Sequence, residues 1–133
     1  LNTKKVIVEE NGVIEWVTGS LGSRISMLYP MSILKGEGAK AEFTGVSFAG
    51  KGQNLDTGAK IIHAAPNTSS TINSKSISKN GGAATYRGVV KVNADAYNSK
   101  SVVSCESLML DNKSKSDTIP VIELLNDDVE ITS

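Results

Sequence analysis

The punctuation of this chain constrains its fold more than any other feature. Turn-forming residues recur at near-regular intervals, beginning at Asn11, Gly22, Gly36, Gly50, Pro66, Asn80, Asn93, Asp111 and Asn126. The gaps are 11, 14, 14, 16, 14, 13, 18 and 15 residues. Glycine and asparagine tolerate positive φ and proline presets its own, so clusters of them interrupt regular structure. Between them lie short runs: Val6–Val8, Val13–Val17, Ile25–Leu28, Ala41–Phe48, Lys60–His63, Thr71–Ser78, Gly88–Val92, Val102–Leu110 and Ile119–Leu125. Val, Ile and Thr make 32 of the 133 residues, and branched side chains pack well on a pleated surface. The expected class is all-β.

Two architectures produce this rhythm. A sandwich or barrel spaces its strands by roughly 8–12 residues with hairpin turns, whereas a β-solenoid places a turn at each corner of a repeating coil. The gaps here are longer than hairpin spacing. Val102-Val103 and Leu124-Leu125 put apolar residues on both faces of a strand, as in sheets buried on two sides. Aromatic residues are only 5% of the chain, which suits a narrow core of Val, Ile, Leu and Ala. Periodicity alone leaves the sandwich and the solenoid both open.

Charge and cysteine content narrow the function classes. Fourteen basic and fourteen acidic side chains cancel, so no electrostatic footprint for nucleic acid or an anionic membrane is present. No run approaches the roughly 18 apolar residues of a membrane span, and the N-terminal Leu1-Asn2-Thr3-Lys4-Lys5 lacks the apolar core of a signal peptide. One cysteine excludes an internal disulfide framework and a CxxC zinc site. Both ends read as interior to a longer chain.

Few residues invite a chemical role. His63 is the sole histidine and is expected to be half-buried and hydrogen-bonded near a turn. Glu9-Glu10 and Asp127-Asp128 are adjacent pairs, so they point to opposite faces of a strand or sit in turns. The Gly50-Lys51-Gly52 and Gly81-Gly82 clusters have no following helix to bind phosphate. On a strand, Cys105 shares a face with Val103, Ser107 and Met109, with Glu106 opposite. Such a lone cysteine reads either as a small buried hydrophobe or as a thiolate ligand for iron or carrier of sulfur.

The central segment carries a resemblance. His63-Ala64-Ala65-Pro66-Asn67-Thr68-Ser69-Ser70, then Ser74-Lys75-Ser76-Ile77-Ser78, Gly81-Gly82 and Tyr86-Arg87-Gly88 resemble SufB subunits of the SufB/SufD family of the Suf iron–sulfur cluster assembly system. Glu15-Trp16-Val17, Tyr29-Pro30, Phe48-Ala49-Gly50-Lys51-Gly52-Gln53, Cys105, Ser116-Asp117-Thr118 and Pro120 extend the resemblance over essentially the whole chain.

The resemblance implies a right-handed parallel β-helix and a chain, residues 1–133, that is one fragment of that core without the family's flanking helical domains. It implies a non-enzymatic scaffold in the cytoplasm (or plastid stroma), working with a SufD-like subunit, a SufC-type ATPase bound through a C-terminal region, and a sulfur donor. Cys105 falls at the family's motif cysteine near the SufB–SufD interface, a ligand for a transient iron–sulfur cluster. Lys4 matches a lysine of the tunnel along which sulfur travels. The family's His-Glu pair is expected to begin about where Ser133 stands. A solenoid fragment also exposes edge strands, which favours homodimers. A β-helix polysaccharide lyase or hydrolase and a purely structural solenoid are the alternatives.

Overall fold

A computed structural model describes residues 2–21 and 25–132, with side chains described for 4–19 and 29–132. The turn expected at Gly22 and the position of Ser133 lie outside the described residues. Among the described residues ten strands follow one another: β1 (Asn2–Val8), β2 (Val13–Leu21), β3 (Ile25–Leu34), β4 (Lys40–Ala49), β5 (Asn54–His63), β6 (Ser69–Ser78), β7 (Ala83–Val92), β8 (Ser99–Met109), β9 (Lys115–Leu124) and β10 (Val129–Thr132). None of the described residues is helical.

Successive strands alternate between two sheets, ordered β1-β3-β5-β7-β9 and β2-β4-β6-β8-β10. Every neighbouring pair is parallel. This is a β-solenoid with two strands per coil, not a sandwich of hairpins. Lys40 pairs with Ser69 and Ser69 with Lys100, so one coil takes about thirty residues.

The sequence rhythm counts half-coils, because each coil turns twice. One corner stacks Asn11, Gly38, Asn67 and Asn98, all at positive φ. Their backbone N–H groups bond down the stack, Asn11 to Glu37 O and Asn67 to Tyr97 O at 2.9 Å. Asparagine tolerates this left-handed conformation better than other residues with a Cβ. At the same corner Gly36 passes so close to the coil before it that a Cβ would lie 1.9 Å from Glu10 N.

Inside–outside alternation is regular in β4, where Ala41, Phe43, Gly45, Ser47 and Ala49 face the interior. The two-faced runs of the sequence therefore have a different cause from burial on both sides. Val103 is 9% exposed and its neighbour Val102 43%: one faces inward, the other is left in solvent. The polarity pattern is blurred further because the interior accepts serine, with Ser70, Ser74, Ser76, Ser78, Ser99 and Ser101 all buried. Leu34, Phe43, Ile61, Ile72, Tyr86, Val90 and Val92 belong to one core cluster. Ile119, Val121, Ile122 and Leu124 of the edge strand β9 stay substantially exposed.

Truncating Ile72, which is fully buried, to alanine is expected to lower stability by about 2–5 kcal/mol. Gly36→Ala is expected to cost about 1–3 kcal/mol by overpacking the corner. Urea unfolding midpoints, read at unchanged slope, measure both.

Candidate functional site

The interior of a solenoid is built in columns, because in-register pairing places each residue above its counterpart one coil away. Thr18, Gly45, Ser74 and Cys105 form one such column on the sheet of β2, β4, β6 and β8. Cys105 is half-buried and packs against the main core cluster. Its neighbours in the column are small, and burial pushes its thiol pKa up, since a thiolate loses hydration there.

Across the interior stands Tyr86 on β7, only 4% exposed. Its ring lies over Gly88, where a Cβ would be 3.1 Å from the ring edge and 3.5 Å from the hydroxyl. Phe43 lies over Gly45 in the same way, with 2.9 Å from the built Cβ to the ring. The two rings tilt against each other at 6.4 Å between centroids. The Tyr86 hydroxyl is buried without a hydrogen-bond partner among the described residues. Burial raises its pKa, and the charge of an ionised Cys105 adds to that rise. Tyr86 lies six residues before the end of β7 at Val92 and Cys105 six after the start of β8 at Ser99, so the two residues stand opposite each other across the interior.

In the sequence Tyr86 stands out only as part of Tyr86-Arg87-Gly88, with no role of its own. A signal was nevertheless present, since Phe43-Thr44-Gly45 and Tyr86-Arg87-Gly88 share an aromatic-x-Gly pattern. In each, aromatic and glycine share the inner face and the glycine makes room for the ring. Arg87 points outward and pairs with Asp56 at 3.4 Å, and Tyr29 also donates a hydrogen bond to Asp56.

His63 differs from its expected half-buried state: it is fully buried. It ends β5 on the inner face, in register with Leu34 and Val92. Its Nδ1 lies 2.8 Å from Thr68 Oγ1 and its Nε2 2.9 Å from Ser70 Oγ. Thr68 continues to Ser99 at 3.0 Å, and Ser70 donates to Ser101 at 2.9 Å. The neutral ring offers one N–H and one lone pair, which two hydroxyls satisfy. The His63-to-Ser70 run is thus a corner closure, in which Asn67 turns the chain and the hydroxyls complete the imidazole. Burial lowers the His63 pKa to about 4.

Lys4 on β1 pairs with the buried Pro30, which assigns it to the inward-facing set, but it lies in the first coil and is exposed. Cys105 is three coils further along, on the other sheet, so the structure does not bring Lys4 and Cys105 together. Among the described residues no three of His, Cys, Asp and Glu gather into a metal-binding group. Glu106 beside Cys105 faces outward, 3.9 Å from Lys75.

The depressed His63 pKa carries a sign. Above about pH 6.5 the ring is neutral in both folded and unfolded chains and contributes no pH dependence. Between about 6.5 and 4 the unfolded chain takes up a proton that the folded one refuses, so stability falls as pH falls, by up to about 3 kcal/mol. Unfolding curves from pH 7 to 4.5 are expected to show the gap between wild type and His63→Gln shrinking toward low pH.

Comparison with known proteins adds relatives to this geometry. Residues 1–133 match the family described as "SUF system FeS cluster assembly, SufBD core domain". The chain is similar to the iron-sulfur cluster assembly protein SufB of Bacillus subtilis, 53% identical over 131 residues. It is likewise similar to iron-sulfur cluster assembly SufBD family proteins of Staphylococcus haemolyticus and Staphylococcus epidermidis, each 55% identical over 131 residues. In all three, the alignment covers 98% of this chain and 28% of the relative.

Proposed function

This chain belongs to the SufBD core domain family of the SUF iron–sulfur cluster assembly system, and from that premise we propose that it is part of the scaffold on which a nascent cluster is built. The observation that carries the reading is Cys105, a half-buried thiol on the inner face of β8, stacked on the small residue Ser74 and, one coil further, on Gly45. A strand in a stacked sheet holds such a group more precisely than a loop.

The cluster is cargo. A thiolate at Cys105 is a soft ligand for iron, and clusters of this kind take four protein ligands as a rule. One thiolate from this domain leaves the remaining positions to residues outside the described set, on the longer protein or on a partner. A SufD-like subunit facing the last coils fits that need, with a SufC-type ATPase supplying the work of hydrolysis and a separate system supplying sulfur. Self-pairing through the exposed edge strand β9 is the competing association, since an unpaired parallel edge is a template for another strand. In this reading Lys4, at the inward face of the opposite end, lies on the path of incoming sulfur. The chain is a scaffold, not a catalyst, and acts in the cytoplasm.

Cys105→Ser, introduced into the full-length protein that carries this domain, is expected to abolish cluster formation on the assembled complex. Iron and acid-labile sulfide content, with visible absorbance, reads the outcome. Normal cluster maturation in that variant would sink the role of Cys105.

A further inference from the structure

We propose that the Tyr86 hydroxyl is the hydrogen-bond donor for the outer sulfur of a persulfide carried on Cys105. The inference deepens the reading of Cys105 as the place where a cluster is built from incoming sulfur, and rests on it. Four observations converge. Tyr86 is 96% buried by residue, at 4% exposure, yet its hydroxyl has no partner among the described residues, the Cys105 sulfur included. Buried hydroxyls are normally paired, and an exception calls for a missing partner. The ring is held in place by Gly88 beneath it and Phe43 beside it. Cys105 packs against the core cluster to which Tyr86 belongs, and Tyr86 lies six residues before Val92 at the end of β7 while Cys105 lies six after Ser99 at the start of β8, which sets the two opposite each other across the interior.

The resting thiol does not engage the hydroxyl. A persulfide extends the side chain by one S–S bond, about 2 Å, and places its negative charge on the outer sulfur. A phenol O–H meets an anionic acceptor in a charge-assisted bond, so the hydroxyl is matched to the loaded cysteine and idle beside the empty one. Ser74, the residue paired with Cys105 in its column, has a small side chain.

Loading balances without an external oxidant when the donor is inorganic polysulfide. The Cys105 thiolate attacks a terminal sulfur, one S–S bond forms and one breaks, and the polysulfide leaves one sulfur shorter with its two negative charges. Because Cys105 is the only cysteine in the chain, a mass gain of one sulfur reports this residue alone.

The test is an equilibrium titration of the 133-residue chain with polysulfide at fixed sulfide, read by intact mass spectrometry. Tyr86→Phe is expected to need about tenfold more polysulfide for half-occupancy, the effect of one lost charge-assisted hydrogen bond. Its melting temperature is expected to be no lower than wild type, because the resting hydroxyl bonds nothing; a merely structural tyrosine would instead lower it and leave the titration unmoved. Replacing Tyr86 with 3-fluorotyrosine, a stronger donor of nearly the same shape, is expected to shift half-occupancy to lower polysulfide, and keeps the test open if Tyr86→Phe folds poorly. Superimposable curves for wild type and fluorotyrosine chains, or a wild-type chain that forms no persulfide, would overturn the proposal. Normal cluster maturation by a full-length Cys105→Ser protein would overturn the assembly reading while leaving a shifted titration curve in place.

Discussion

Everything in this protein depends on one requirement: each strand's backbone N–H and C=O groups must be met by the strand one coil away. Parallel strands cannot be joined by a tight hairpin, so the chain travels through the second sheet before returning. The coil length is thereby held near thirty residues, and the corners must close with left-handed residues at equivalent positions. Asn11, Gly38, Asn67 and Asn98 do so. A fixed coil length stacks side chains into columns, and a column, unlike an isolated residue, decides what the interior holds.

The columns explain why an interior with many serines is stable. Ser70 and Ser101, or Thr68 and Ser99, lie one coil apart and satisfy each other, while His63 completes both pairs. Such a network is favourable only when every member is paired. Against that background the unpaired Tyr86 hydroxyl stands out, and it lies in the stretch of interior that Cys105 faces. Gly45 and Gly88 each yield their side-chain space to the aromatic ring two residues before them. Small side chains, a thiol and a free donor make this part of the solenoid chemically different from the packed layers of Leu34, Ile61 and Val92.

Much of the fold was legible in the chain. The turn signals fall between the observed strands wherever both are described, and nine of the ten strands among the described residues enclose or overlap the β-branched runs. Strand lengths were read short, as at Lys60–His63 against Asn54–His63, because Asn, Asp, Thr and Gly carry little strand signal while the parallel ladder holds them extended. Inside and outside were harder to read, since valines face solvent and serines face the core. Cys105 was identifiable as a candidate from its uniqueness and its resemblance to a family motif. Tyr86 was in plain view as Tyr-Arg-Gly but had no visible role, because the thiol it faces across the interior stands on a strand of the opposite sheet.

The amino-acid sequence by itself determined the all-β character, the corner positions and the family. These are local properties: backbone preferences at Asn and Gly, branched side chains between them, and a run of residues long enough to recognise. Only the tertiary structure decided which face of each strand is interior, that His63 is a fully buried corner residue, and that Cys105 and Tyr86 share a stretch of the core. Those facts depend on register between coils about thirty residues apart, and register is set by the completed stack of hydrogen bonds, which no single segment contains.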